Sequence, residues 1–574
     1  MLFLAVHHPR IRTMAIPFSR TAFSPDIRRA MLMLATVIFA SASLPAATVN
    51  WNTDSSGSWS TAVDWTSNPN LPGTADDVVI DRPTAAVTIT HSGASDSINN
   101  LTCNETLVLS SGALDVVKVM RINGGCTLSG GTLGGGGTVQ VAGTMNWNGG
   151  TIESVGGVSV ASGGNLAIGG SSGLYLYGTS LSNAGTITQS GIDNFFSQGS
   201  NAAINNLSGG VFDCQSDSSI ASASGSGQTF YNAGTFRKSA GTGLSLVAWT
   251  FNNSGTVDVQ IGAVKFTAGG THDGTFRVAA GAKLEFSGGA NYFAGAVFSN
   301  SGTTLFSGGT AYFNTPTTIP GTVAITKQAT LDGTSAATFE NLTWSGGTLA
   351  GSTAIAVGGN LAIRDGGLAR YFNGGALSNA GTVVWSGSND LAAQGYNARI
   401  DNLSAGVIDC QGDASLLVYS GANHALNNAG IFRKSISNGG ATVIAWAFNN
   451  SGEVKVDAGT LRLTGGGTYG GTFEIAPNAT LELKSGDHVL AGAAFVNAGQ
   501  LLFDGGTFVA NAPITIAGAG TTVVSGTGVA LTAKSIVQAT LTIGTTPAAV
   551  PEPAAWTLLL SAGLLVGCRR FRRR

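Results

Sequence analysis

Charge is what this sequence has least of. Only 10 % of its residues are Asp, Glu, Lys or Arg, and no basic stretch in the body offers the patch a nucleic-acid partner requires. Proline is scarce, at 14 of 574 residues, and with 84 glycines the two make up about 17 % of the chain. That is short of the share expected of unstructured low-complexity chain, and a mean hydropathy of +0.23 also argues against disorder. Histidine is rare as well. His91, His272, His424 and His488 are widely spaced in the body, so no HExxH-type metal pair exists, and no metal or other cofactor is expected. No GxSxG nucleophile elbow stands between a strand and a helix. Gly134–Gly137 and the other glycine runs lack the strand–helix setting of a phosphate loop. The glycine–aspartate nonapeptides of calcium-binding β-rolls are missing too. No stretch between residues 48 and 549 has helical periodicity.

What the sequence has is repetition. NLAI, LSNAG, DCQ, FRKS and FNNSG occur in that order from Asn165 and again from Asn360. The offset is 195 at Asn165/Asn360, 196 at Cys214/Cys410 and 197 at Phe251/Phe448. Within each copy, Asn-(Ala/Ser)-Gly followed by an apolar strand recurs, at Asn183, Asn232, Asn253 and Asn300 and then at Asn379, Asn428, Asn450 and Asn497. With the related Asn206 and Asn402, the steps are 23, 26, 21 and 47 in the first copy and 23, 26, 22 and 47 in the second. Steps of 21–26, with 47 read as a double step, have the size of one coil of a β-solenoid. Such a unit buries its apolar face only by stacking on its neighbours. Asn and Gly suit tight corners, and stacked Asn side chains form hydrogen-bonded ladders. The expected fold is all-β, a parallel β-helix or β-solenoid with a tandem duplication of about 196 residues. At ~4.8 Å per stacked strand, roughly 21 coils give a rod about 100 Å long. The low charge follows, because in-register stacking sets like charges against each other. A row of β-sandwiches is the competing architecture, with a boundary near residue 341.

The ends read as address labels. Arg28 and Arg29 precede the apolar run 30–40 and small residues that allow cleavage after Ala42 or Ala47, as in a secretory signal peptide. Met1 or Met14 is the start. At the other end, Pro551, Glu552 and Pro553 are followed by an apolar segment expected to form a short helix, and then by Arg569, Arg570, Arg572, Arg573 and Arg574. This order resembles the PEP-CTERM sorting signal of Gram-negative bacteria. The resemblance implies an exosortase-type processing enzyme as partner, transient anchoring in the inner membrane by this segment, and a cell-envelope or extracellular-matrix destination. An ordinary short C-terminal anchor is the plainer reading, and both place the body outside the inner membrane. The arginines belong on the cytoplasmic side. Ten of the 28 basic residues lie in these two ends, as do two of the 30 acidic ones, so the body carries 18 against 28, a net charge of about −10.

Trp51, Trp59 and Trp65, followed by LPGTADDVVI, look like the opening module of many exported bacterial β-solenoids. They are expected to cap the open end of the stack; stacking on sugar rings is the other use of such residues. Cys103 and Cys126 are 23 apart, close to one coil, so they are expected to stack and are a candidate disulfide. Cys214 and Cys410 are copies too distant to pair in a solenoid. The expected layout is a signal region 1–47, a cap 48–90, first coils 91–143, repeats 144–340 and 341–532, a linker 533–549 and the sorting segment 550–574.

Two functional readings stand. One is a non-enzymatic structural or adhesive rod, for which an extracellular polysaccharide is a further partner. The other is a polysaccharide-binding protein, lyase or glycosidase on the same scaffold. The best acidic candidates are Asp213 with Asp217 and Asp409 with Asp413, and both pairs are duplicated along with the repeat. A second copy of a site argues for structure. Asp beside a turn has a local role on backbone amides, and no catalytic residue is assigned. Arg237-Lys238 and Arg433-Lys434 read as solvated edge positions or as contacts to acidic glycans. The body also resembles autotransporter passengers, although the sorting tail stands where such proteins carry a C-terminal transmembrane barrel.

Overall fold

A computed structural model describes residues 46–170 and 173–525, with short strands at Thr532–Ala533, Ser535–Ile536, Thr540–Ile543, Thr546–Ala549 and Leu558–Leu559. Residues 1–45 of the signal region and the sorting residues Pro551–Pro553, Arg569, Arg570 and Arg572–Arg574 lie outside the described residues. The described chain contains no α-helix. It is a parallel β-solenoid of about 21 turns, interrupted near its start by a 3₁₀ turn at Ala62–Asp64.

Each coil has three strands, and one coil defines the three faces. Leu174–Tyr177 lies on face one, Ser180–Asn183 on face two and Thr186–Gln189 on face three. The next coil places Phe195–Gln198, Ala203–Asn206 and Val211–Cys214 on them, parallel and in register. Four-residue strands suffice because side chains alternate between wall and interior: Thr256–Val259 buries its second and fourth residues and leaves the others at the surface. Stacking sets like on like inside the tube. Phe293 and Phe313 lie 5.0 Å apart with ring planes 13° from parallel, and Phe212 and Phe236 are 5.8 Å apart at 9°.

The Asn-(Ala/Ser)-Gly motif forms a corner. Asn183 Oδ1 accepts from the Gly185 backbone N–H at 3.1 Å, which fixes the turn locally. Its Nδ2 donates to Asn206 Oδ1 at 2.8 Å, and the chain continues from Asn206 to Asn232 and from Asn232 to Asn253, each at 2.7 Å. The second copy repeats the ladder through Asn379, Asn402, Asn428 and Asn450 at 2.7–2.8 Å. These side chains are buried and are satisfied by one another and by carbonyls of the neighbouring coil, except at the end of the first ladder, where Asn253 Nδ2 has no partner among the described residues.

The stack runs through the middle of the molecule without a break. Ala336–Trp344 spans the position where the repeats adjoin and pairs with Thr317–Ile325 before it and Ser352–Ile363 after it. Each of these long strands turns a corner and serves two faces, which rules out a sandwich boundary near residue 341. The pairing also shows that the second copy is turned. On face two, Ala290–Phe293 pairs with Thr310–Phe313, then Thr330–Asp332, Gly347–Leu349, Arg370–Asn373 and Leu391–Gln394. Arg370–Asn373 is the copy of Leu174–Tyr177, which lies on face one. The duplicated unit therefore holds one strand more than a whole number of coils, and every motif reappears one face further round.

The same pairing corrects the reading of the 47-residue step as two coils. The strand stacked on Asn253 carries His272, and the next carries Phe293. Asn300 lies on face three, in register with Val278. A coil has three corners, so a corner motif by itself does not specify a face.

The tryptophans close the N-terminal end. Trp51, Trp59 and Trp65 are each 1 % exposed. Their rings meet edge to face at 5.0 and 4.9 Å, and Trp65 Nε1 donates to the Trp59 carbonyl at 2.8 Å. Rings so enclosed have no face left for a sugar.

Candidate functional site

Three of the four duplicated aspartates are engaged with cations. Asp213 lies on the wall of face three, where its carboxylate accepts from Arg237 at 2.6 Å and from Gln215 at 3.0 Å. Burial works against its ionisation, but these donors outweigh burial and its pKa is lowered. Asp217 sits at the following corner and accepts from Lys238 at 3.0 Å and from the Gly243 N–H at 3.0 Å. The two carboxylates of this pair thus serve different cations, whereas Asp409 of the second copy accepts from Gln411 at 2.8 Å and Arg433 turns to Asp457. In the second copy Asp413 accepts from Lys434 and Ser437 at 2.8 Å, and from the Asn438 and Gly440 N–H groups at 2.8 and 2.9 Å. Burial opposes ionisation here too and is overcome, which leaves the carboxyl well below the usual range. The expected role of aspartate on turn amides is what Asp217 and Asp413 perform.

The lysines correct the sequence reading. Lys238 and Lys434 are fully buried, not solvated. Lys238 Nζ donates to the Ser216 carbonyl at 2.9 Å, and to the Ala240 carbonyl and Ser245 Oγ, both at 3.1 Å. Lys434 bonds the Gly412 and Ile436 carbonyls in the same way. Each ammonium ties two corners together, and the duplicated Lys–Asp pair is a staple. Arg237 and Arg433 remain on the outer wall. In the first copy Asp213, Arg237, Asp258 and Arg277 stack in register with alternating sign, which spares these four residues like-charge repulsion.

The cysteines differ from expectation in their stacking. Cys103 is in register with Ile80 and Ile122 on face two, and Cys126 with Leu107 and Met145 on face three. They do not stack on each other, because the 23-residue spacing carries the chain past a corner. Cys103 Sγ lies 3.7 Å from the carbonyl of Gly125, the residue before Cys126. All four body cysteines are buried free thiols, and burial pushes Cys103, Cys214 and Cys410 up to about 12.

Two further features escaped the sequence reading. Arg370 is buried where the first copy has Leu174, and it bonds the Arg364 and Asn389 carbonyls with Asp365 at 3.6 Å. Asp365 also accepts from the Ser388 and Asn389 N–H groups. The second feature is a difference in the wall itself. Outward-facing Tyr231, Tyr292 and Tyr312 of the first copy correspond to Asn427, Val489 and Val509 of the second. Comparing the two copies residue by residue in register was the signal that would have found it.

Two shallow depressions of about 480 and 260 Å³ adjoin on the second copy, where Ala429, Gly430, Ser451, Gly452 and Gly470 stack at a corner. Small residues leave the space, and Glu453 is the one carboxylate lining the larger depression. Among the described residues, no group of three His, Cys, Asp or Glu is placed to hold a metal ion. No known family model matches the chain, and no curated protein matches it either.

Proposed function

We propose that this chain is an exported structural or adhesive rod of the cell envelope or extracellular matrix, without enzymatic activity. It is delivered by the N-terminal signal and sorted through the Pro551-Glu552-Pro553 tail and its terminal arginines, with an exosortase-type enzyme as processing partner. One observation carries this reading: the Lys–Asp pairs duplicated with the repeat, Lys238 with Asp217 and Lys434 with Asp413, are consumed in corner bonds in both copies. What is repeated is wall, and a longer wall is a longer rod. A protein made of stacked units gains length by adding coils without redesigning its core.

Deleting residues 550–574 and following the protein by cell fractionation tests the sorting. Release from the surface, or retention in the periplasm, is the expected result, and unchanged attachment contradicts it. Incubating the purified chain with the host exopolysaccharide tests the rest. Depolymerisation that disappears in Asp213→Asn or Asp409→Asn would overturn the non-enzymatic reading.

A further inference from the structure

The one-face turn of the second copy gathers aromatic residues onto face two. The first copy contributes Tyr231, Tyr292 and Tyr312. The second contributes Tyr371, whose counterpart Tyr175 is on face one, and Tyr396 and Tyr419 at the ends of the next two strands of the face. Six of the nine tyrosines in the sequence therefore lie on this face or its edge. Tyr231, Tyr292, Tyr396 and Tyr419 are 50 %, 42 %, 66 % and 74 % exposed, so the rings are turned outward and do not serve the core. From Tyr231 to Tyr419 the face climbs nine coils, about 43 Å at the spacing of stacked strands.

Along this track rings alternate with polar gaps. Tyr292 and Tyr312 stack at 4.9 Å with planes 10° apart. On its other side Tyr292 is in register with Thr271, and Tyr231 with Asn252. Between Tyr231 and Tyr292 there is thus a gap of three coil steps, about 14 Å, floored by Asn252 and Thr271. Asn252 Oδ1 accepts from the Thr271 N–H and hydroxyl at 2.9 and 3.0 Å, and its Nδ2 has no partner among the described residues. The equivalent row of the second copy shows what this means. There Asn449 Nδ2 donates to Asn427 at 2.9 Å and Asn427 Nδ2 to Asp401 at 2.8 Å, so the amides use each other up. Putting Tyr231 where that row has Asn427 frees the Asn252 donor and adds a ring beside it. A threonine file, Thr310, Thr330 and Thr348, runs beside the tyrosines. Among the described strand residues of the face from Tyr231 to Val418, Asp332 is the single outward charge, Arg370 being buried.

Rigid amphipathic rings, a free amide donor and a row of hydroxyls suit a polyhydroxylated chain. The C–H groups of a sugar ring lie against a phenol face, and its hydroxyls bond the gaps. The lack of outward Lys or Arg on the face, and the net charge of about −10 on the body, disfavour an anionic polymer. We infer that face two, from Tyr231 to Tyr419, is a binding track for an extended, uncharged polysaccharide lying along the rod axis. The proposed extracellular role bears only on where such a chain is met, and binding by the purified protein is a separate question.

Affinity electrophoresis of the full-length chain through gels containing hydroxyethylcellulose, dextran, mannan or alginate tests it. The expected result is retardation by at least one of the three neutral polymers and none by alginate. The double variant Tyr292→Ala/Tyr312→Ala is expected to weaken that retardation at least tenfold, with the thermal unfolding midpoint showing that it is folded. Tyr292→Phe/Tyr312→Phe keeps the rings and should keep most of the binding, and Val489→Ala/Val509→Ala, at the equivalent positions of the second copy, should leave it unchanged. No retardation by any neutral polymer, retardation by alginate alone, or equal retardation of the alanine variant overturns the inference. So does a shift in oligomeric state on tyrosine replacement without change in retardation, which would make the track a surface for a second copy of the chain.

Discussion

A buried asparagine amide is costly unless both its donors and its acceptor are used. Asn206 meets that condition by accepting from Asn183 and donating to Asn232 and to the Thr235 carbonyl. Asn206→Ala breaks the ladder and orphans a neighbour, so it should lower the unfolding free energy by ~1–3 kcal/mol. Asn252→Ala, one residue before the ladder's Asn253 but facing outward, should change it by less than about 0.5 kcal/mol. Urea unfolding of both variants makes the comparison. His272 takes the next place after Asn253, enclosed by Phe276, Phe286 and Phe293 with Asn291 Oδ1 at 3.2 Å. Burial lowers its pKa to about 4 from 6.5, despite the bond to Asn291. An unfolded His272 takes up a proton near pH 6.5, whereas the folded one resists until about pH 4. Its contribution to stability is therefore complete above pH 6.5 and is lost as the pH falls through that window. His272→Tyr, which copies Tyr469 of the second repeat, should flatten this part of the profile when urea midpoints are measured from pH 7 to pH 4. The ladder was legible in the sequence, because Asn recurred at coil spacing. The buried charges were not: Lys238 sits between Arg237 and Ser239, and only the corner carbonyls show that its ammonium points inward.

At the scale of the coil, corners limit what the chain tolerates. Gly467 adopts φ +138°, and a Cβ there would stand 1.9 Å from the Phe448 carbonyl oxygen of the coil beneath. Gly270, its copy, meets Phe251 in the same way at φ +154°. Gly467→Ala should cost ~1–3 kcal/mol or more in backbone strain, and limited proteolysis should detect the loosening as new cleavage in the coils around it. Strands and corners could be read from the sequence because alternation and Asn-Gly punctuation are local. The assignment of corners to faces could not. Three corners share one chemistry, so Asn253 and Asn300 look like successive rungs although they lie on different faces. The cysteines failed for the same reason, since a spacing near one coil places two residues in neighbouring coils without placing them on one face.

For the whole molecule, the duplication both extends the stack and turns it. An added segment of whole coils would have kept each motif on its own face, and Tyr371 would lie with Tyr175 on face one. The extra strand moves it to face two, beyond Tyr292 and Tyr312, where it lengthens a track that neither copy forms alone. That surface was invisible in the sequence because it depends on phase, and phase is a count of strands. The most direct test joins the copies across their boundary. Thr330, at the end of the first copy, is in register with Thr348 in the second, whereas the first-copy counterpart of Thr348 is Thr151, on face one. The double variant Thr330→Cys/Thr348→Cys, in a full-length chain that also carries Cys568→Ser, should form an intramolecular cross-link with a short bis-maleimide, undisturbed by the four buried native thiols. Thr322→Cys/Thr348→Cys, which would adjoin only in an unturned stack, should not. Cross-linking of the second pair and not the first would contradict the turned, continuous solenoid.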